Sequence, residues 1–401
     1  MKLPADVSEW FDLESYPQAP LTTFAQSIAP AELLDPASTA VWGGLKLPDT
    51  LPILSDGGGN VLCLRFAIDG KVSEIIHWDH EGGWWKPYGD SLAEALVLDA
   101  AFSLIDRARN EPEDLCEEET LTFAEWGARW TRDFDAPQLR SLAKDVPNLL
   151  NRLSDSGVAP VAIAQQQCRD HLTTRLNRLC RQVGARKIAE LATVPWPEFR
   201  QWLHQPELVP ENQKEILAAV TTIPFEELTY QDWDTAVAKA QLVLRMRQDL
   251  AWPFAVLGRY ENVQHHTDKS VHYYAAGLQT VGTSEDFVLN WSNWSLGQSK
   301  FIPYALAALK PSLGSEKDAY LELFSSPSSA ILVRDYWIGL GEQAERRGEY
   351  EAAYRCYYAA GWDIPIQEGI EDILERLEKA ATKAGHHAQA LLARHHRLSV
   401  A

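Results

Sequence analysis

Three consecutive glycines, Gly57 to Gly59, separate two apolar runs in LPILSDGGGNVLCLRF, residues 51–66. Glycine loses more backbone freedom on folding than any other residue, so three in succession mark a place where side chains would forbid the chain path or where something approaches closely. Asp56 and Asn60 flank them, and such side chains bond turn amides and tolerate unusual dihedrals. LPIL therefore reads as a short strand ending at the glycines. In VLCLRF, Leu62, Leu64 and Phe66 fall on one face and Val61, Cys63 and Arg65 on the other. Asp69-Gly70 lies between strand-like runs and predicts a hairpin, with VSEIIHW as the return strand. The turn DHEGG then leads to the short stretch WWKPY. Next comes DSLAEALVLDAAFSLIDRA, where Ser91 and Glu94 have capping-box spacing and Leu92, Ala95, Leu96, Phe102 and Ile105 make an apolar stripe. This helix is expected to pack on a small antiparallel sheet. The fold class is thus α+β over residues 1–110.

RNEPEDLCEEET is acidic and poor in apolar residues, and predicts an exposed linker over 111–120. The remainder reads as all-α: a helical region over 121–230, then a repeat-like, irregular solenoid over 231–401. QQQCRDHLTTRLNRLCRQVGARKIAELATV and NQKEILAAV carry helical periodicity, broken by VPWPEF and QPELVPEN. HYYAAGL at 272–278 matches CYYAAGW at 356–362 at an offset of 84 residues (356 minus 272). Around the second copy, Trp337, Leu340, Gly341, Ala344, Gly348, Ala353, Tyr357, Ala360 and Pro365 have a spacing that resembles a tetratricopeptide repeat, a helix pair of about 34 residues. Leu374, Leu377, Ala381, Gly385 and Ala390 would make a next copy, and a weaker one spans 252–281, with Pro253 where Trp would stand. An unrelated helical bundle is the alternative.

The chain has 401 residues and a formal net charge of -19, which disfavours nucleic-acid phosphates and favours a basic partner. Five cysteines, an odd count with no CxxC pair, argue against a disulfide framework or a thiolate zinc site. Reduced thiols fit a cytoplasmic protein. No signal-peptide pattern and no membrane-length apolar run are read.

The blocks SDGGGN, LCL, WDH and DSL occur in an order that resembles the SMI1/KNR4 family, also called the SUKH superfamily. Ser55, Asp56, Gly57, Gly58, Gly59, Asn60, Leu62, Cys63 and Leu64 carry the first match, Trp78, Asp79 and His80 the second, and Asp90, Ser91 and Leu92 the third. The family usually begins with a helix ending in an LPxDYxxFL…NGG element. Here LPADVSEWF starts almost at Met1, with WGG at 42–44 in the place of the double glycine. That departure bears on the family's usual partner contact. The resemblance implies a compact α+β, protein-binding, non-enzymatic domain, often an immunity protein that neutralises a toxin such as a nuclease. Fungal members imply an alternative, a scaffold or regulatory adaptor for cell-wall assembly.

The binding residues expected from these motifs are Asp56, Gly57, Gly58, Gly59, Asn60, Trp78, Asp79, His80, Glu81, Trp84 and Trp85. The glycine turn either serves the bend alone or presents amides to a partner. His77, Asp79, His80 and Glu81 are ligand types, but no second cluster accompanies them, so neither a metal nor a cofactor is expected. Trp84 and Trp85 are adjacent and point to opposite faces of a strand, one into the core and one to a contact surface. Nucleophile-elbow, metalloprotease, phosphate-loop and dinucleotide motifs are absent, so no enzyme is expected. A carbohydrate hydrolase using scattered carboxylates is the remaining alternative. The doublets His265-His266, His386-His387 and His395-His396 are expected to be solvated.

Overall fold

The computed structural model describes residues 3–12, 47–79, 84–110, 148–172, 233–280, 319–323, 329–360 and 369–400, with a few isolated positions between them. The expected linker at 111–120, WGG at 42–44, NQKEILAAV, and His80 and Glu81 lie outside the described residues.

The regular elements of the amino-terminal part are α1 (Ala5–Asp12), β1 (Gln26–Ser27), β2 (Thr50–Ser55), β3 (Val61–Phe66), β4 (Val72–Asp79), β5 (Trp84–Gly89) and α2 (Leu92–Asn110). The strands form one antiparallel sheet in the order β1-β2-β3-β4-β5. The expected hairpin is present between β3 and β4. Gly70 has φ +80°, and the Asp69 carboxylate accepts from the Lys71 amide at 3.0 Å.

Register fixes the two faces. Val61, Trp78 and Trp85 align across three strands, as do Cys63, Ile76 and Pro87, and Arg65 opposes Glu74. Leu62, Leu64 and Phe66 point the other way, as period-2 alternation requires. Tyr88 stands against Phe102 of α2, with ring centroids 6.0 Å apart, and its hydroxyl donates to Asp99 at 2.8 Å. The α2 start uses the expected cap: the Glu94 amide donates to Ser91 Oγ at 3.2 Å. Glu94 in turn accepts from the Asp90 amide, one residue earlier than a standard capping box provides. Asp6 of α1 reaches the same helix end and accepts from the Ala93 amide.

After α2, every described regular element is helical: α3 (Leu149–Asp155), α4 (Asp234–Met246), α5 (Ala251–Val263), α6 (Thr267–Thr280), α7 (Ala319–Leu323), α8 (Ser329–Arg346), α9 (Tyr350–Ala360), α10 (Ile370–Ala384) and α11 (His387–Val400). The chain forms two compact units. One joins residues 1–163, 282–284 and 330–401, and the other comprises 164–281 and 285–329.

The helices α5–α6, α8–α9 and α10–α11 make three hairpins with the same turn. The amides of Ser270, Ala353 and Ala390 donate to the carbonyls of His266, Glu349 and His386. Those of His266, Glu349 and His386 close back onto Glu261, Ala344 and Ala381. Each turn contains one residue of positive φ: His265 (61°), Gly348 (75°) and Gly385 (80°). In the first two hairpins a glycine of the first helix receives a tyrosine of the second. A Cβ on Gly258 would lie 2.5 Å from the Tyr274 ring, and one on Gly341 2.4 Å from the Tyr357 ring. These pairs are 83 residues apart (341 minus 258, 357 minus 274), not the 84 of the letter match. Two successive tyrosines in each copy let the letters slide by one, and the glycine pocket decides which ring is equivalent.

The carboxy-terminal hairpins build a core from Ala344, Tyr357, Leu374, Leu377, Ala381 and Ala393, among others, and Ile68 from the β3–β4 connection packs against it. Sheet and helices thus share apolar contact within one unit.

Candidate functional site

The β2–β3 loop is organised by one carboxylate. Asp56 Oδ1 accepts from the Gly58 amide at 2.8 Å and from the Asn60 amide at 3.0 Å, while Oδ2 accepts from Asn60 Nδ2 at 2.7 Å. The Gly57 amide donates to Ser55 Oγ. Gly57 (φ 77°) and Gly59 (φ 109°) occupy backbone regions that disfavour side chains. All three glycines are exposed, whereas Asp56 and Asn60 are half-buried. The amides of Gly57, Gly58 and Asn60 are directed to the loop's own side chains. The loop is therefore a rigid exposed knob, and it does not have the open amide cradle that holds a phosphate.

The aromatic residues of the expected site lie elsewhere. Trp78 is 5% and Trp85 0% exposed. They sit cross-strand on the face that carries Arg65, whose guanidinium lies 4.8 Å from the Trp85 ring centroid. Asp79 is half-buried at the end of β4, paired in register with Trp84, whose side chain is outside the described residues. His77 points to the α2 face, 5.6 Å from the Tyr88 ring and 5.4 Å from Phe24. Burial and the nearby Lys86 ammonium push its imidazole down to about 3, so it is neutral near pH 7. Among the described residues, no group of three or more His, Cys, Asp or Glu side chains is placed to hold a metal ion.

A polar cluster that motif reading did not single out stands at the other end of the sheet. Arg65 Nε donates to Asp49 Oδ2 at 3.1 Å and Nη1 to Glu74 Oε1 at 2.9 Å. Nη2 donates to the Tyr358 hydroxyl of α9, which donates to Asp49 Oδ1 at 3.1 Å. Burial raises the Asp49 carboxyl above its usual range, against the pull of Arg65. Both carboxylates are spent on one guanidinium, so the cluster is a clamp between sheet and helix rather than a proton-transfer pair. Its trace in the sequence is an Arg in a strand face otherwise made of Val61 and Cys63; its long-range partner, Tyr358, leaves no local sign.

The histidine doublets divide. His265 and His266 are exposed as expected. His395 and His396 are each 1% exposed, contrary to the solvated reading. The seam between α11 and the sheet buries His396, whose Nε2 is 2.9 Å from the Thr50 carbonyl oxygen, and His395 has Asp35 beside it. Adjacent residues on an isolated helix diverge, but this helix has α10 on one side and the sheet on another.

No protein-family model matches the chain, and no curated protein matches it. No described helix is long and apolar enough to cross a membrane.

Proposed function

We propose that this is a non-enzymatic, cytoplasmic protein-binding module of SUKH type, most consistent with an immunity protein that occludes a toxin. The exposed glycine knob carries the proposal: it is held stiff by Asp56, so it meets a partner with little ordering cost. The SDGGG, LCL and WDH blocks support the family reading, and the net charge of -19 favours a basic partner such as a nuclease domain. Occlusion needs no reaction centre: an acidic surface covers a basic one, and charge speeds encounter.

Gly58 offers a clean test. Its φ is not left-handed, and the nearest atoms to an added Cβ are those of the Asp56 carboxylate, from 3.5 Å. Gly58→Arg therefore adds bulk and positive charge to the knob without straining it. Co-expressed with a toxin from an adjacent gene, the wild type protects cells and G58R, equally stable, does not. Recovery of no protein partner, together with G58R behaving as wild type, rejects the reading.

The three like-built hairpins favour a second reading, a scaffold or regulatory adaptor whose tetratricopeptide-like helices form an irregular solenoid with a second contact surface. A helical-region partner insensitive to G58R, with no toxin gene nearby, is its signature.

A further inference from the structure

The run Arg394-His395-His396-Arg397 places four basic-type side chains on one turn of α11. Both histidines are buried. His396 contacts the Thr50 carbonyl at the start of β2, and Gln389 Nε2, two turns earlier, donates to the Ala67 carbonyl just past β3. One residue before Gln389, Ala388 meets the hairpin turn: a Cβ on Gly70 would lie 3.3 Å from it. α11 thus lies along the sheet end through neutral hydrogen bonds and apolar contact. Arg397 is engaged away from this seam, by Glu378 of α10 at 2.8 Å.

We infer that the α11–sheet seam is an acid-sensitive latch, in which protonation of the buried His396, next to His395, weakens the hold of α11 on β2 and lets α11 open.

Burial sets the direction, and the surrounding groups adjust it, the Thr50 carbonyl favouring a charged His396. On α11, Arg394 lies near His395 and opposes its protonation, and His395 opposes that of His396. Asp35 lies opposite His395 and favours its charged form, but it is outweighed by burial, and the imidazole is pushed down. On the sheet side, Asp49 is held by Arg65 and Tyr358, and Glu74 by Arg65, so neither carboxylate is left as a counter-ion for a new cation. α9 brings Tyr354 and Tyr358, and α10 brings Glu378, already paired with Arg397. Burial pushes His396 down to about 4 from an ordinary 6.5. A seam that opens with an ordinary imidazole in the open state gains about 20-fold in opening constant between neutral pH and about pH 5.

Hydrogen exchange of the full chain, corrected for intrinsic rates, tests this at neutral pH and at about pH 5. Peptides from α11 and β2 should exchange about 20-fold faster at the lower pH, with those from α5–α6 unchanged. The double variant His395→Gln/His396→Gln keeps neutral side chains and should lose most of that acceleration. A wild type insensitive to pH overturns the inference. So does an equal response in the double variant, or a response spread evenly over both compact units. Should the variant fail to fold, the imidazole titration of the wild type decides by NMR. His396 titrating near its ordinary value in the folded chain refutes the latch; a neutral ring down to the pH of opening supports it.

Discussion

Asp56 shows how much one side chain can carry at the residue scale. Its two oxygens take two loop amides and one side-chain amide, closing a turn in which two glycines have positive φ. Asp56→Ala leaves those donors to water and is expected to cost about 1–2 kcal/mol, measured by chemical denaturation, with local loss of protection at Gly58 and Asn60. Arg65 is the more costly residue. Removing it strands Asp49 and Glu74 without their cation, so Arg65→Ala should destabilise by about 3–5 kcal/mol, whereas Tyr358→Phe, which removes one hydroxyl, should cost about 1 kcal/mol. Equal effects from the two would mean that Arg65 is not the hub. The glycine turn, with its flanking Asp and Asn, was legible in the sequence because every partner lies within five residues. The Arg65 cluster was not, because Tyr358 is 293 residues away.

The hairpins allow internal comparison at the element scale. The same turn position holds Gly348 and Gly385 in two copies and His265 in the third, where a side chain bears left-handed strain. His265→Gly should stabilise the α5–α6 pair by up to about 1 kcal/mol, seen as a rise in melting temperature. No gain would show that the imidazole makes a compensating contact. At the first-helix glycines the sign reverses. Gly341→Ala sets a methyl 2.4 Å from the Tyr357 ring and should destabilise by about 1–3 kcal/mol. Adding Tyr357→Leu should make the pair less destabilised than the sum of the single variants, a coupling that a double-mutant cycle measures. Strand alternation, the Asp69-Gly70 hairpin and the cap at Ser91 were readable because each is a short-range pattern. The one-residue slip in the repeat offset was not, because a Tyr-Tyr pair offers two alignments and only packing chooses.

The sheet and the carboxy-terminal hairpins lie in one compact unit at the scale of the whole molecule, so acid should act on them together. His77 and His396 are both held neutral by burial, near 3 and 4. Each has a folded pKa below its unfolded value, so the unfolded chain binds more protons as pH falls below about 6.5. The stability they contribute is complete above that pH and is lost progressively down to about 4, by roughly 3 kcal/mol for His396 alone. Asp49, raised by burial, acts in the opposite sense as pH falls through its raised value towards the ordinary one. Denaturant midpoints should therefore fall between neutral pH and about pH 5, and His77→Gln should reduce the fall if its fold is intact. A flat profile would place these imidazoles in solvent.

The strand runs LPIL, VLCLRF and VSEIIHW, the tight hairpin and the helical character of the later chain follow from the sequence by itself, since alternation, turn residues and 3.6-residue periodicity act over a few neighbours. Which residues are buried together was decided only in three dimensions. Trp85 is enclosed behind Arg65, and His396 is enclosed at a seam made by segments more than 300 residues apart. Burial depends on what covers a side chain, and no local pattern in this sequence records that the last helix returns to the second strand.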